Sequence, residues 1–166
     1  MHLEEFFNYK NTLIGDLISE EDIVCLIDEQ FVSDPPSLVY DRIFPFEFLP
    51  DTVQEGKTYL CIDVDIRKSA ENGKKYIPTI SIWIFTHKSL MKLPQGGVRV
   101  DKICSLISKK INGSLWYGQG KLELESVKRF APMTDYQGKC MVFVTKDVSN
   151  VFDPLKKIPS NRRDGI

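Results

Sequence analysis

Apolar positions recur every three to four residues near the start of the chain. Leu3, Phe6, Phe7, Leu13 and Ile14 share a helical spacing with Lys10, which predicts an α-helix over 3–14. Gly15 follows, and Ser19 is placed to cap a second helix whose first turn holds Glu20, Glu21 and Asp22, where a helix N-terminus favours carboxylates. Ile23, Leu26 and Ile27 give that helix its apolar stripe. Two short helices, or one broken near Gly15–Ser19, therefore account for 3–29.

From Thr58 the period changes to two. Leu60, Ile62, Val64 and Ile66 face one way, with Tyr59, Cys61, Asp63 and Asp65 on the other. RKSAENGKK follows, and its Asn72–Gly73 pair is a hairpin turn signal. The next strand sets Ile80, Ile82 and Ile84 against Ser81, Trp83 and Phe85. Val100, Ile103, Leu106, Ile107 and Ile111 then return to helical spacing over 98–111, and Asn112–Gly113 closes the helix as a C-cap. KLELESVKRF and KCMVFVTKDV predict two further strands, with the turn at Gln137–Gly138.

The fold expected is α+β, in the α/β class. N-terminal helices precede a β-β-α-β-β unit, a mainly antiparallel sheet with the central helix packed on one face. Ile103, Leu106 and Ile107 should be buried. Residues 1–150 form one domain and 151–166 a flexible basic tail. Within the domain, 33–57 carries Pro35, Pro36, Pro45 and Pro50, so it reads as an extended connector. Its Tyr40, Ile43, Phe44, Phe46, Phe48 and Leu49 should pack along the domain or against a neighbour.

Composition is ordinary for a globular chain: 42% apolar and 27% charged over 166 residues. Cys25, Cys61, Cys104 and Cys140 are scattered through apolar stretches without a CxxC pair, so reduced, buried thiols are expected. The acidic start does not resemble a secretory leader, and no apolar run reaches the ~20 residues of a membrane span. The net charge of −1 conceals a segregation. Residues 1–55 hold 13 acidic and 2 basic side chains, whereas 56–166 hold 10 acidic and 20 basic. Either the acidic part packs on the basic part of its own chain, or copies dock head to tail.

Chemistry is sparse. His2 and His87 are the only histidines. No nucleophile motif accompanies His87, which reads as a strand-end or interface residue. Asp63 and Asp65, two apart on a strand, share a face and could hold a divalent metal. A nuclease would need further groups from a neighbouring strand, for which Glu123, Glu125 and Lys128 are the candidates. Alternating acids on an exposed sheet face are the plainer reading. Gly118 and Gly120 precede a strand rather than opening a helix, unlike a nucleotide loop. Beside Trp116 and Tyr117 they suggest a bulge or tight strand entry. Lys156, Lys157, Arg162 and Arg163 make a basic tail that could approach nucleic acid.

Several strings within 57–147 are family-like: FTHKSLM, the R-x-D-x-I of Arg99, Asp101 and Ile103, the NG that ends the helix, and GQGKLELESV. They resemble a family of small proteins of tailed bacteriophages and prophages of low-GC Gram-positive bacteria, encoded among head–tail connector and tail components. The resemblance implies a virion structural protein of the neck, most nearly the tail terminator. Such a protein forms a ring, usually a hexamer, that caps the tail tube and docks to the connector. Its implied partners are its own copies, the tail tube protein and the head–tail connector proteins, with DNA in the channel reached through the basic tail. It works without catalytic residues, cofactor or metal, in the virion after assembly in the host cytoplasm. Candidate interface residues are Tyr40, Phe44, Phe46, Phe48, His87, Trp116, Phe152, Lys156, Lys157, Arg162 and Arg163. Another neck component (head-closure or adaptor protein) and a metal-dependent nuclease using Asp63 and Asp65 are the alternatives. The acidic N-terminal third has no counterpart in the resemblance.

Overall fold

In a computed structural model the described residues are 3–28, 34–50, 56–68, 76–117 and 120–146. The Asn72–Gly73 turn, Gly118 and the tail from 147 lie outside them. Among the described residues the order is α1 (Leu3–Ile18), α2 (Glu21–Ile27), a 3-10 turn (Pro35–Leu38), β1 (Ile43–Phe44), β2 (Thr58–Lys68), β3 (Tyr76–His87), a second 3-10 turn (Lys88–Leu90), α3 (Arg99–Ile111), β4 (Lys121–Met133) and β5 (Tyr136–Lys146). The fold is α+β, as the periodicities imply. The sheet order is β1-β2-β3-β5-β4. Only β1 runs parallel to its neighbour, and the other pairings are antiparallel.

The helices cover one face. Leu13 and Leu17 of α1, Ile23 and Ile27 of α2, and Ile103, Ile107 and Ile111 of α3 are at most 1% exposed. They share one cluster with Leu60, Ile62, Ile80, Ile82, Ile84, Met141 and Phe143 of the sheet. Ile103 and Ile107 are buried as expected, while Leu106 is only half-buried at the rim of that cluster. Removing a fully buried branched side chain such as Ile103 costs about 2–5 kcal/mol.

The opposite face is not simply wet. Phe44, Tyr59, Cys61, Phe85 and Tyr136 form a second buried cluster, with Phe48, Trp83, Phe130 and Met133 packed around it. Residues 34–50 of the proline-rich stretch are therefore part of the domain: they enter the sheet edge at β1 and lay Phe48 over Phe44 with rings stacked at 3.9 Å. Aromatic burial on this scale contributes strongly to stability, so the segment is fixed and not a free connector.

Local expectations needed correction in three places. α1 continues through Gly15 to Ile18, and the Ser19 hydroxyl donates back to the Asp16 carbonyl at 2.7 Å. It is thus occupied at the end of α1, and Glu20 stands at the N-cap of α2 without a side-chain capping bond. The β4–β5 turn is Thr134–Asp135, not Gln137–Gly138, which lie inside β5. A Cβ on Gly138 would fall 1.9 Å from the Ile84 carbonyl oxygen. That glycine permits a close strand approach, and Phe85 and Phe130, its register partners on either side, meet edge to face at 5.6 Å. Finally, Cys25 is exposed, because residues 23, 24 and 27 take the inner face of α2. By contrast Gly113, in the left-handed region at φ 86°, follows α3 as the sequence implied.

Candidate interaction surfaces

Asp63 and Asp65 lie on β2, near one margin of the sheet. The groups imagined as completing a metal site, Glu123, Glu125 and Lys128, lie on β4 at the other margin, with β3 and β5 between. Neighbouring strands are about 4.8 Å apart, so the constellation is not assembled. Asp63 instead accepts a 2.7 Å hydrogen bond from the Lys10 ammonium, which also donates to the Pro45 carbonyl at 2.7 Å. That lysine reaches from α1 to the sheet edge and ties it down. Among the described residues no cluster of three His, Cys, Asp or Glu side chains is placed to hold a metal.

The candidate interface residues divide by burial. Phe44 is buried and Phe48 half-buried in the second core, so the expectation that both offer area to a neighbour is corrected: their own domain covers them. Tyr40 and Phe46 are 67% and 45% exposed, with ring centroids 6.4 Å apart. Tyr40 sits at φ 67°, strained for an aromatic residue, and its N–H donates to the Ile43 carbonyl at 2.8 Å. Leu49 nearby is 45% exposed. His87 is half-buried: its Nδ1 caps the second 3-10 turn by accepting from the Ser89 N–H, and its ring meets Tyr136 edge on at 5.4 Å. Its role in the fold is that of a strand-end cap. Phe152, Lys156, Lys157, Arg162 and Arg163 lie outside the described residues.

Trp116 is 80% and Leu115 68% exposed, in the loop that leads from α3 into β4. Trp116 forms part of the wall of a cleft of about 660 Å³, together with Thr12, Asp16, Asn112 and Tyr117. Tyr117 donates to Asp16 at 2.5 Å. Burial, reinforced by that carboxylate, pushes its hydroxyl pKa above the tyrosine range. Lys110 pairs with Glu20 next to it, and that bond raises the lysine pKa.

The charge segregation can now be followed residue by residue. Acidic α2 meets the basic end of α3 through Glu20 and Lys110, and Asp41 pairs with Lys57. Part of the acidic third therefore packs on its own chain. Pairing does not exhaust it. Among the described residues, the carboxylates left over in 3–50 are Glu4, Glu21, Asp22, Asp34 and Glu47, while both cations there, Lys10 and Arg42, are paired. Among the described side chains of 56–146, Lys92, Lys102, Lys109, Lys128 and Arg129 remain, against Asp65 and Glu125. Val98 and Val127, 41% and 43% exposed, lie among these cations. The motif reading singled out none of Val98, Leu115 and Val127 as a contact, whereas Leu49 belonged to the stretch expected to pack along the domain or against a neighbour. For the three it missed, the lopsided charge count was the only signal.

The fold and its surfaces define a small α+β sheet protein, with helices on one face and an aromatic second core on the other. Residues 5–145 match the model of the YomW family, whose name is of the phage and prophage type; the match spans most of the chain, which belongs to that family. No curated protein matches the chain.

Proposed function

We propose that the chain is a virion structural protein of the phage neck, a ring subunit that terminates the tail tube and joins it to the head connector. The observation that carries this reading is the unpaired charge of opposite sign left on the two parts of the chain, joined to exposed apolar side chains. Surfaces of that kind steer and orient repeated copies, and closed rings arise when one patch meets a different patch of the next copy. The phage-type family supplies the setting.

The test is particle assembly without the protein. Heads and tails should accumulate separately, with tails of irregular length in electron micrographs, and adding purified protein should restore joining. Full-length, infectious particles formed in its absence would sink the proposal.

A further inference from the structure

We infer that the β1 margin of one molecule docks on the β4 margin of a second copy of this chain, so that copies join head to tail. This rests on the ring-subunit reading and names its contact. The two strands are the opposite edges of the sheet. At the β1 margin, Tyr40, Phe46 and Leu49 are exposed, and the unpaired carboxylate Glu47 follows Phe46 in the chain, on the side of the second face, where its charge is felt by Cys61. At the β4 margin the signs reverse. Val127 and Arg129 alternate on one face of β4, and Arg129 stands directly opposite Lys139 of β5. Like charges so opposed repel. Asp101 of α3 neutralises Lys139 at 2.7 Å and leaves Arg129 exposed without a partner among the described residues. Next to Asp101, Lys102 is exposed, one helical turn from exposed Val98, whose carbonyl accepts its N–H at 3.1 Å.

Each patch thus presents exposed apolar side chains next to unpaired charge, acidic at Glu47 and basic at Lys102 and Arg129. A carboxylate such as Glu47 brought to Arg129 gives that guanidinium the partner it lacks, while Phe46 and Leu49 cover Val98 and Val127. Because the two patches lie on different margins, the contact is heterologous: every copy keeps one patch free, and the series closes as a ring or runs on.

Two double variants of the full chain test this, each changing only exposed residues. The first is Phe46→Ser with Glu47→Lys; the second is Lys102→Glu with Arg129→Glu. Sedimentation velocity should show wild type associating, and associating less as salt shortens the screening length toward ~8 Å at physiological strength. Each variant alone should associate at least about tenfold more weakly, with an unchanged circular dichroism melt. Mixed one to one, the variants should form a terminated dimer, since each still holds the margin the other has lost. A mixture that stays monomeric while wild type associates overturns these surfaces and leaves the ring reading standing. Wild type that is monomeric at every concentration and salt overturns this contact, whereas the particle test above decides the neck role separately.

Discussion

Arg99 is 2% exposed, yet it is the first residue of α3. A cation at a helix N-terminus opposes the helix dipole, by about 0.3–1 kcal/mol. What outweighs that penalty is where the guanidinium goes. Its Nε donates to the Leu90 carbonyl and its Nη1 to the Leu26 carbonyl, each at 2.7 Å. Leu26 lies in the last turn of α2, whose carbonyls lack helical partners and carry the negative end of that dipole. One side chain therefore fastens the end of α2, the turn after β3 and the start of α3. Hydrogen bonds to a charged group are each worth about 1.5–3 kcal/mol. Arg99→Met keeps most of the stem and deletes both, leaving two carbonyls unsatisfied, so a loss of about 3–5 kcal/mol is expected. Arg99→Lys reaches one carbonyl at most and should lose about 1.5–3 kcal/mol. Urea unfolding followed by circular dichroism and tryptophan fluorescence measures both, as a lower midpoint at unchanged slope. If Arg99→Met lies within about 0.5 kcal/mol of wild type, the surface-like range, the fastening role is wrong.

Gly138→Ala places a methyl against the Ile84 and Phe85 backbone and should destabilise by about 3 kcal/mol or more; soluble, normally melting protein would contradict the close approach. An aromatic thiol reagent should modify Cys25 quickly, whereas buried Cys61 and Cys104 should react only on unfolding; burial pushes both thiols up to about 11, so fast labelling of all sites would refute the packing. The same burial, with Tyr59 pushed up to about 12, fixes the sign of the pH response. Folded values above the unfolded ones mean this stability is intact below about pH 9 and is lost as pH rises through about 11. Melting temperatures measured from pH 8 to 11 should fall, and Cys61→Ala should flatten the decline; a rise would reverse the argument.

How much of this could be read from the residues depends on range. The hairpin of β2 and β3 and the stripe of α3 were legible because their period is local: Ile80, Ile82 and Ile84 alternate, and Val100, Ile103 and Ile107 recur at helical steps. The second core was half-visible. Tyr59, Cys61 and Phe85 are apolar where a wet sheet face would be polar, but the side chains that cover them, Phe44 and Phe48, come from a proline-rich stretch whose path no period describes. Gly138 misled because glycine serves turns and close approaches alike. The proposed contact was the least legible part: Val98 with Lys102, and Val127 with Arg129, become neighbours only when the sheet sets β4 at its edge and α3 beside β5.

The free edges themselves bear on how copies would meet. An unpaired strand invites another backbone to pair with it. β1 covers only Leu60 and Cys61 of β2, and beyond them Asp63 and Asp65 place charge on that edge strand, with Lys10 laid over Asp63. β4 is broken by irregularities between Leu124 and Ser126 and between Phe130 and Met133, and it carries Pro132. Bulges, proline and charge are the devices that keep edges from zipping together. Backbone pairing between copies is thus disfavoured at both margins, which leaves association to side chains. Contacts of that kind are governed by charge and apolar area, and they should respond to salt and to single-site charge reversal in a way that a continued sheet would not.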